Sequence, residues 1–152
     1  MMAHTPWQAE LRLRFAESGG RTVLRERQHR GPLRVQRPFH PEGGPCHVYL
    51  VHPPGGIAGG DQLVLDAGID PGAHALITTP AATRFYRALP GRRATVMQRL
   101  SVRDATLEWL PQESICFDGA DARLCTRVEL QGQSHFIGCE LTCYGRPACG
   151  EP

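Results

Sequence analysis

Gln62-Leu63-Val64-Leu65-Asp66-Ala67-Gly68-Ile69-Asp70 follows directly on the glycine-rich stretch His52-Pro53-Pro54-Gly55-Gly56-Ile57-Ala58-Gly59-Gly60-Asp61, and its reading decides the fold. Leu63, Leu65, Ala67 and Ile69 recur at every second position, the period of a strand with one buried face. A phosphate-binding glycine loop opens into a helix whose N-terminus meets the anion, and a strand offers no such terminus. The loop also lacks the Gly-Lys-Ser/Thr ending of a P-loop and the spacing of a dinucleotide fingerprint. Nucleotide binding is therefore set aside. What remains is a long turn whose glycines, Gly55, Gly56, Gly59 and Gly60, admit positive φ and close backbone approach. Asp61, at its end, has two readings: a cap for backbone N–H groups of the turn, or a positioned carboxylate on a functional surface.

The same period runs outward in both directions. Leu11, Leu13 and Phe15 alternate with Glu10, Arg12 and Arg14, and Thr22-Val23-Leu24-Arg25 reads as a weaker second strand. Val48 and Leu50 mark a third, and residues 73–79 continue beyond Ile69 as an apolar strand. Ala94, Val96, Gln98, Leu100 and Val102 alternate again, followed by strands over 106–110, 124–130 and 136–144. Pro71-Gly72, Pro90-Gly91, Asp118-Gly119 and Gln131-Gly132 punctuate these runs at turn positions. Short strands at such spacing predict an all-β fold: stacked, β-helix-like antiparallel or mixed sheets with at most one or two short helices. The one helical candidate is residues 80–89, with Phe85 and Leu89 four apart. No internal repeat or linker is visible, so 1–152 reads as a single domain.

Composition narrows the function classes. The 152 residues are 41% hydrophobic and 21% charged, suited to a globular core, and Gly (17) and Pro (13) leave little room for long helices. No apolar run reaches the ~18 residues of a membrane-spanning helix, and the start, Met1-Met2-Ala3-His4-Thr5-Pro6-Trp7, has no basic stretch leading into an apolar one. The expectation is a cytoplasmic protein without a membrane partner. A net charge of +2 is too small to point to nucleic acid. It is unevenly spread, because every basic residue is arginine and residues 1–40 hold eight of them against Glu10, Glu17 and Glu26. That basic segment is read either as a face for an acidic partner or as a solvated edge strand.

Six cysteines are too few for a disulfide scaffold and are read as thiols, most of them buried as small hydrophobes. Cys139 and Cys143 resemble a zinc pair. On one strand they would stand roughly 13 Å apart, too far for Zn–S bonds of ~2.3 Å. Cys46 and His47, adjacent on a strand, point to opposite faces, which leaves at most a weak, transient metal contact through Cys46, His47 or His52. Carboxylates gather in Thr106-Leu107-Glu108-Trp109-Leu110-Pro111-Gln112-Glu113, but Pro111 breaks the ladder between Glu108 and Glu113 and nothing fixes their separation for acid–base work. No nucleophile elbow or oriented Cys–His pair is present. Read from its residues alone, the chain is a non-enzymatic all-β domain.

Four stretches in order carry a resemblance. They are Gly31-Pro32-Leu33-Arg34-Val35-Gln36-Arg37-Pro38-Phe39, the loop from His52 to Asp61, Thr78-Thr79-Pro80-Ala81-Ala82-Thr83-Arg84-Phe85-Tyr86-Arg87, and Leu107-Glu108-Trp109-Leu110-Pro111-Gln112-Glu113 continuing to Phe117-Asp118-Gly119-Ala120. Together they resemble the UreD (UreH) family of urease accessory proteins, from about residue 8 to the end. The resemblance implies a chaperone-like scaffold rather than an enzyme. It implies apo-urease and UreF as partners, with the GTPase UreG reached through UreF, and transient Ni²⁺ as cargo with no tightly bound cofactor. It also implies an internal path for the ion. By position on the matching motifs, Asp61, Glu108 and Glu113, with His52 behind them, are the candidate nickel-path residues, and Arg84 and Tyr86 are candidates for partner contact. In the family the Gly-Arg-x-Ala-x-Gly-Glu segment, here residues 145–151, lies mid-chain, so the resemblance covers an N-terminal part. Exposed strand edges and poor solubility of the isolated chain are expected. Three rival readings remain: a metal-independent β-rich ligand- or protein-binding module displaying aromatics, a metal-dependent hydrolase built on Glu108, Glu113 and histidines, and a truncated fragment that has lost the function.

Overall fold

The computed structural model describes residues 5–151; residues 1–4, on which the leader reading partly rests, and residue 152 lie outside it. β1 (Gln8–Ser18) and β2 (Arg21–Arg30) form an antiparallel hairpin. Gly19 and Gly20 close it with φ of 61° and 82°, the doubly positive turn whose twist matches that of paired strands. A two-residue strand β3 (Arg34–Val35) then pairs antiparallel with β4 (Cys46–Val51).

From Gln62 onward the chain traces one path three times: a long strand, a corner, a shorter strand, a second corner and a three-residue strand. The first coil is β5 (Gln62–Ile69), β6 (His74–Thr78) and β7 (Thr83–Phe85). The second is β8 (Ala94–Arg103), β9 (Thr106–Leu110) and β10 (Ser114–Cys116). The third is β11 (Ala122–Gln131), β12 (His135–Gly138) and β13 (Thr142–Tyr144), followed by a 3-10 turn at Pro147–Cys149. Equivalent strands pair in parallel, giving three sheets in the orders β11-β8-β5-β1-β2, β12-β9-β6-β4-β3 and β13-β10-β7. β1, β4 and a single bridge from Ile57 to Phe85 supply an incomplete coil ahead of these. Parallel strands cannot be joined by tight turns. Here the other two sheets serve as the connection, which removes the need for crossover helices.

The inward positions stack into rows. Phe15, Ile69, Val102 and Leu130 share one row, and Leu13, Ala67, Leu100 and Val128 the next. Val48, Leu107 and Trp109 face the same interior from the second sheet and are 2% exposed or less. Alternating burial in β1, β5, β6 and β9 bears out the period-two reading.

Four expectations are corrected. Residues 80–89 hold no helix: Thr83–Phe85 is a strand paired in parallel with β10, because Phe85 must point inward at 3% exposure. Residues 136–144 are two strands in two sheets, with a corner at 139–141, so the distance along one strand does not apply to Cys139 and Cys143. A structural repeat exists: Gln62 pairs with Thr95 and Ala94 with Ala122, coils of unequal length that leave no fixed period in sequence. Finally, Cys46 alone is a fully buried cysteine; Cys139, Cys143 and Cys149 are exposed. All six are free thiols.

Candidate functional site: the interior of the coil

Stacking three sheets around an axis encloses a lumen, and here it is not completely filled. A cavity of about 350 Å³ lies within the coil and opens to solvent at the third coil, where Leu124 and Leu141 are exposed. It is walled mainly by apolar side chains such as Leu65, Val96, Phe85 and Leu124. His52 lines it where the first, incomplete coil ends, and Glu140 lines it at the third. Strand spacing of ~4.8 Å puts roughly 14 Å of stack between those levels.

Glu140, a solvent-exposed corner residue at the cavity wall, was not singled out in the sequence, yet its carboxylate has the most hydrogen-bonded surroundings there. Its Oε1 accepts hydrogen bonds from Trp109 Nε1 (2.7 Å) and Thr126 Oγ1 (2.7 Å), and Gln98 Nε2 stands at 3.3 Å. Gln98 Nε2 also donates to Thr126 Oγ1 at 2.7 Å. Register explains why these groups meet: Leu11, Leu65, Gln98 and Thr126 form one inward row, which turns from apolar to polar along the stack. The signal was present in β8, where Gln98 occupies the apolar phase of Ala94, Val96, Leu100 and Val102. In an apolar interior that position requires a partner.

His52 is half-buried, and its Nε2 is shielded from solvent without a hydrogen-bond partner among the described residues. Burial lowers its pKa below the ordinary histidine value, with the nearby Asp61 charge opposing weakly. The imidazole is therefore held neutral near pH 7, leaving one ring nitrogen with a free lone pair. Asp61 is 0% exposed, and its Oδ1 and Oδ2 accept the backbone N–H of Trp7 and Ala58, both at 2.8 Å. It caps the glycine loop, as the first of its two readings expects.

The loop glycines differ in what a side chain would meet. A Cβ at Gly59 would meet the Arg92 carbonyl at 2.6 Å, and one at Gly56 would meet the Tyr86 ring at 2.2 Å. Gly55 (φ 77°) and Gly60 (φ 94°) take up conformations that side chains disfavour. Gly55 and Gly56 also border the cavity.

The remaining candidates do not converge. Glu108 lies on the outward face of the second sheet, its Oε1 2.6 Å from His74 Nε2. Glu113 is half-buried just before β10, its carbonyl accepting the Thr83 N–H, and it is not part of the cavity wall. Arg84 and Tyr86 are both exposed; Arg84 edges the cavity, and Tyr86 packs edge-on against Phe117, on which the Arg146 guanidinium rests. Burial pushes the Cys46 thiol up to about 11, so it is no ready thiolate ligand. Among the described residues no three His, Cys, Asp or Glu side chains are grouped to hold a metal, and Glu108 and Glu113, named in the hydrolase reading, are not among the residues lining the cavity. Of the aromatics that a binding module would display, Trp109 is buried, whereas Trp7, Phe39, Tyr86 and Tyr144 are exposed. No helix among these residues is long and apolar enough to cross a membrane.

Comparison with known proteins adds an independent line. The sequence pattern of the UreD urease accessory protein family matches residues 8–152. The urease accessory protein UreD of Klebsiella aerogenes is 55% identical over 146 residues, covering 95% of this chain and 54% of that protein. UreD of Pseudomonas putida (strain W619) is 53% identical over 146 residues, again 95% of this chain and 52% of the relative. UreD of Azoarcus sp. (strain BH72) is 53% identical over 151 residues, 98% of this chain and 53% of the relative. The chain thus spans about half the length of the curated relatives it matches. A family pattern matched over nearly the whole chain, on an all-β coil, is decisive: this chain belongs to the UreD family of urease accessory proteins.

Proposed function

We propose that the chain is a non-catalytic, cytoplasmic scaffold for nickel insertion into apo-urease, working with UreF and, through it, UreG, with Ni²⁺ passing as cargo along the lumen. The observation that supports this reading is an apolar cavity lined by one neutral imidazole, His52, within the stack and by one hydrogen-bonded carboxylate, Glu140, at its solvent-exposed mouth on the third coil. Imidazole nitrogen and carboxylate oxygen are donors suited to Ni²⁺. Spaced singly, they offer successive weak holds rather than one closed chelate, and weak holding is what release downstream requires. Asp61 and Glu113 then act from outside the lumen, Asp61 by fixing the loop that carries His52 and Glu113 at the corner before β10. Glu108, paired with His74, is a candidate for an external approach of the ion.

Co-expression of the tagged chain with its cognate apo-urease and UreF tests the scaffold part. Retention of either protein supports it; loss of both, with capture by a full-length relative, defeats it. Nickel content of the captured urease tests the path: Glu140→Ala and His52→Ala should keep partner capture and lower urease nickel. Unchanged nickel with both variants would remove the lumen from the reading.

A further inference from the structure

β2 is the last strand of the five-stranded sheet, so one of its edges faces no other strand of that sheet. Its first half is nevertheless covered. The Gly44 carbonyl accepts the Thr22 N–H at 2.9 Å, His40 Nε2 stands 2.7 Å from the Thr22 carbonyl, and the Cys46 thiol reaches the Leu24 backbone. Beyond Leu24 this cover stops. Among the described residues no backbone hydrogen bond outside the β1 ladder reaches residues 25–30, and all six are exposed. A bulge falls here as well: pairing passes from Arg14–Glu26 to Phe15–Leu24 and leaves Arg25 opposite no residue.

The charge on this segment differs from that of the strands beside it. Arg14 and Arg103 pair with Asp70, Arg99 with Asp66, and Arg127 with Glu129. Residues 25–30 hold Arg25, Arg27, His29 and Arg30 against Glu26, which stands opposite Arg14 and adds to the field keeping that residue charged. Arg25, Arg27 and Arg30 make no ion pair among the described residues. A row of unpaired N–H and C=O groups thus runs beside three unpaired guanidinium groups.

A charged edge normally keeps other strands away. An edge of one sign is selective, because it repels like charge and admits the opposite. We propose that residues 25–30 of β2 dock an extended acidic segment of a partner protein, added to the sheet as a sixth strand. Backbone ladder bonds would hold the segment, and its carboxylates would meet the forked donors of Arg25, Arg27 and Arg30. A second copy of β2 fits poorly, since it would set arginine against arginine. Nucleic acid fits poorly too, since no aromatic side chain interleaves with these arginines and the chain as a whole carries only +2.

The test uses the full chain and a short fluorescein-labelled peptide of alternating Glu and Val, with an alternating Lys and Val peptide and a single-stranded oligouridine as comparators. The acidic peptide should bind, weaken steeply with salt, and slow amide exchange at residues 25–30. Arg25→Gln, Arg27→Gln and Arg30→Gln combined should weaken it about tenfold or more, the loss expected of several charge-assisted contacts, with no change in melting temperature. The proposal is overturned by no binding, by protection away from β2, by undiminished binding to the triple variant, or by equally tight binding of the oligouridine. Concentration-dependent protection of β2 without peptide would make the occupant a second copy and overturn it as well. None of these readouts involves the lumen, so this proposal and the nickel path stand or fall separately.

Discussion

Asp61 accounts for more of the local structure than its size suggests. Two backbone N–H groups, of Trp7 and Ala58, end on one fully buried carboxylate, which joins the chain entering β1 to the loop entering β5. Asp61→Ala leaves both donors without that acceptor at about 1–3 kcal/mol each, so melting should fall by roughly 4–24 °C at ~2–4 °C per kcal/mol. Asp61→Asn, which keeps one acceptor oxygen, should fall by less. An unchanged melt for the alanine variant would show that the cap is dispensable. His52 gives a second test at this scale. Burial lowers its folded-state pKa, so the unfolded chain takes up the proton first as pH falls through about 6.5. Stability therefore drops as pH falls through the window between the unfolded and folded pKa values, and rises again with pH toward neutrality. His52→Gln should flatten that part of the stability–pH curve in chemical denaturation at pH 7.5 and 5.5; a slope identical to the parent's would mean His52 is not the group responsible.

At the scale of the element, β8 shows what was legible and what was not. Its alternation announced a strand with a buried face, and Leu100 and Val102 lie at 0% and 1% exposure. Period two says which side a residue faces but not which strand lies alongside, so parallel pairing with β5 and β11 could not be read. Coils of 33 and 28 residues, set by the Gln62–Thr95 and Ala94–Ala122 pairs, also blur any repeat. The helix expected over 80–89 failed for a related reason: a three-residue strand is too short to show a period, and Phe85 and Leu89 at helical spacing were the only pattern on offer. Glu140 escaped notice because it lies in a corner between strands, although its partner Gln98 stood in plain view on an apolar face. Position in the stack also sets the cost of truncation. Leu100→Ala, flanked on both sides by Ala67 and Val128 within its row, should cost about 2–5 kcal/mol. Leu130→Ala, the last residue of its row and 51% exposed, should cost under half as much. Equal losses in paired denaturant titrations would mean that the last coil is covered in solution.

At the scale of the whole molecule, the two ends of the long sheet are finished differently. At β2 the edge is arginine-rich on both faces. At β11 the edge is parallel, unpaired in this chain, and backed by side chains in core positions. Leu130 continues a row buried one coil earlier at Val102, and Leu124 and Tyr144 continue rows buried two coils earlier at Leu63 and Phe85, yet they are 51%, 38% and 78% exposed, and Leu141 beside the cavity is 62% exposed. An apolar surface of this kind next to free backbone donors and acceptors favours contact with another chain. The isolated chain should therefore associate as its concentration rises, with early elution in size-exclusion chromatography and sedimentation that depends on loading. Salt should not dissolve the contact, because it rests on apolar burial rather than charge. Leu130→Glu with Tyr144→Glu sets like charges on both sides of any such contact and should return the chain to a monomer with little change in its melt. A parent chain that stays monomeric at all concentrations would mean that the third coil closes over its own rows, with Leu130 and Tyr144 protected from exchange as firmly as Leu100.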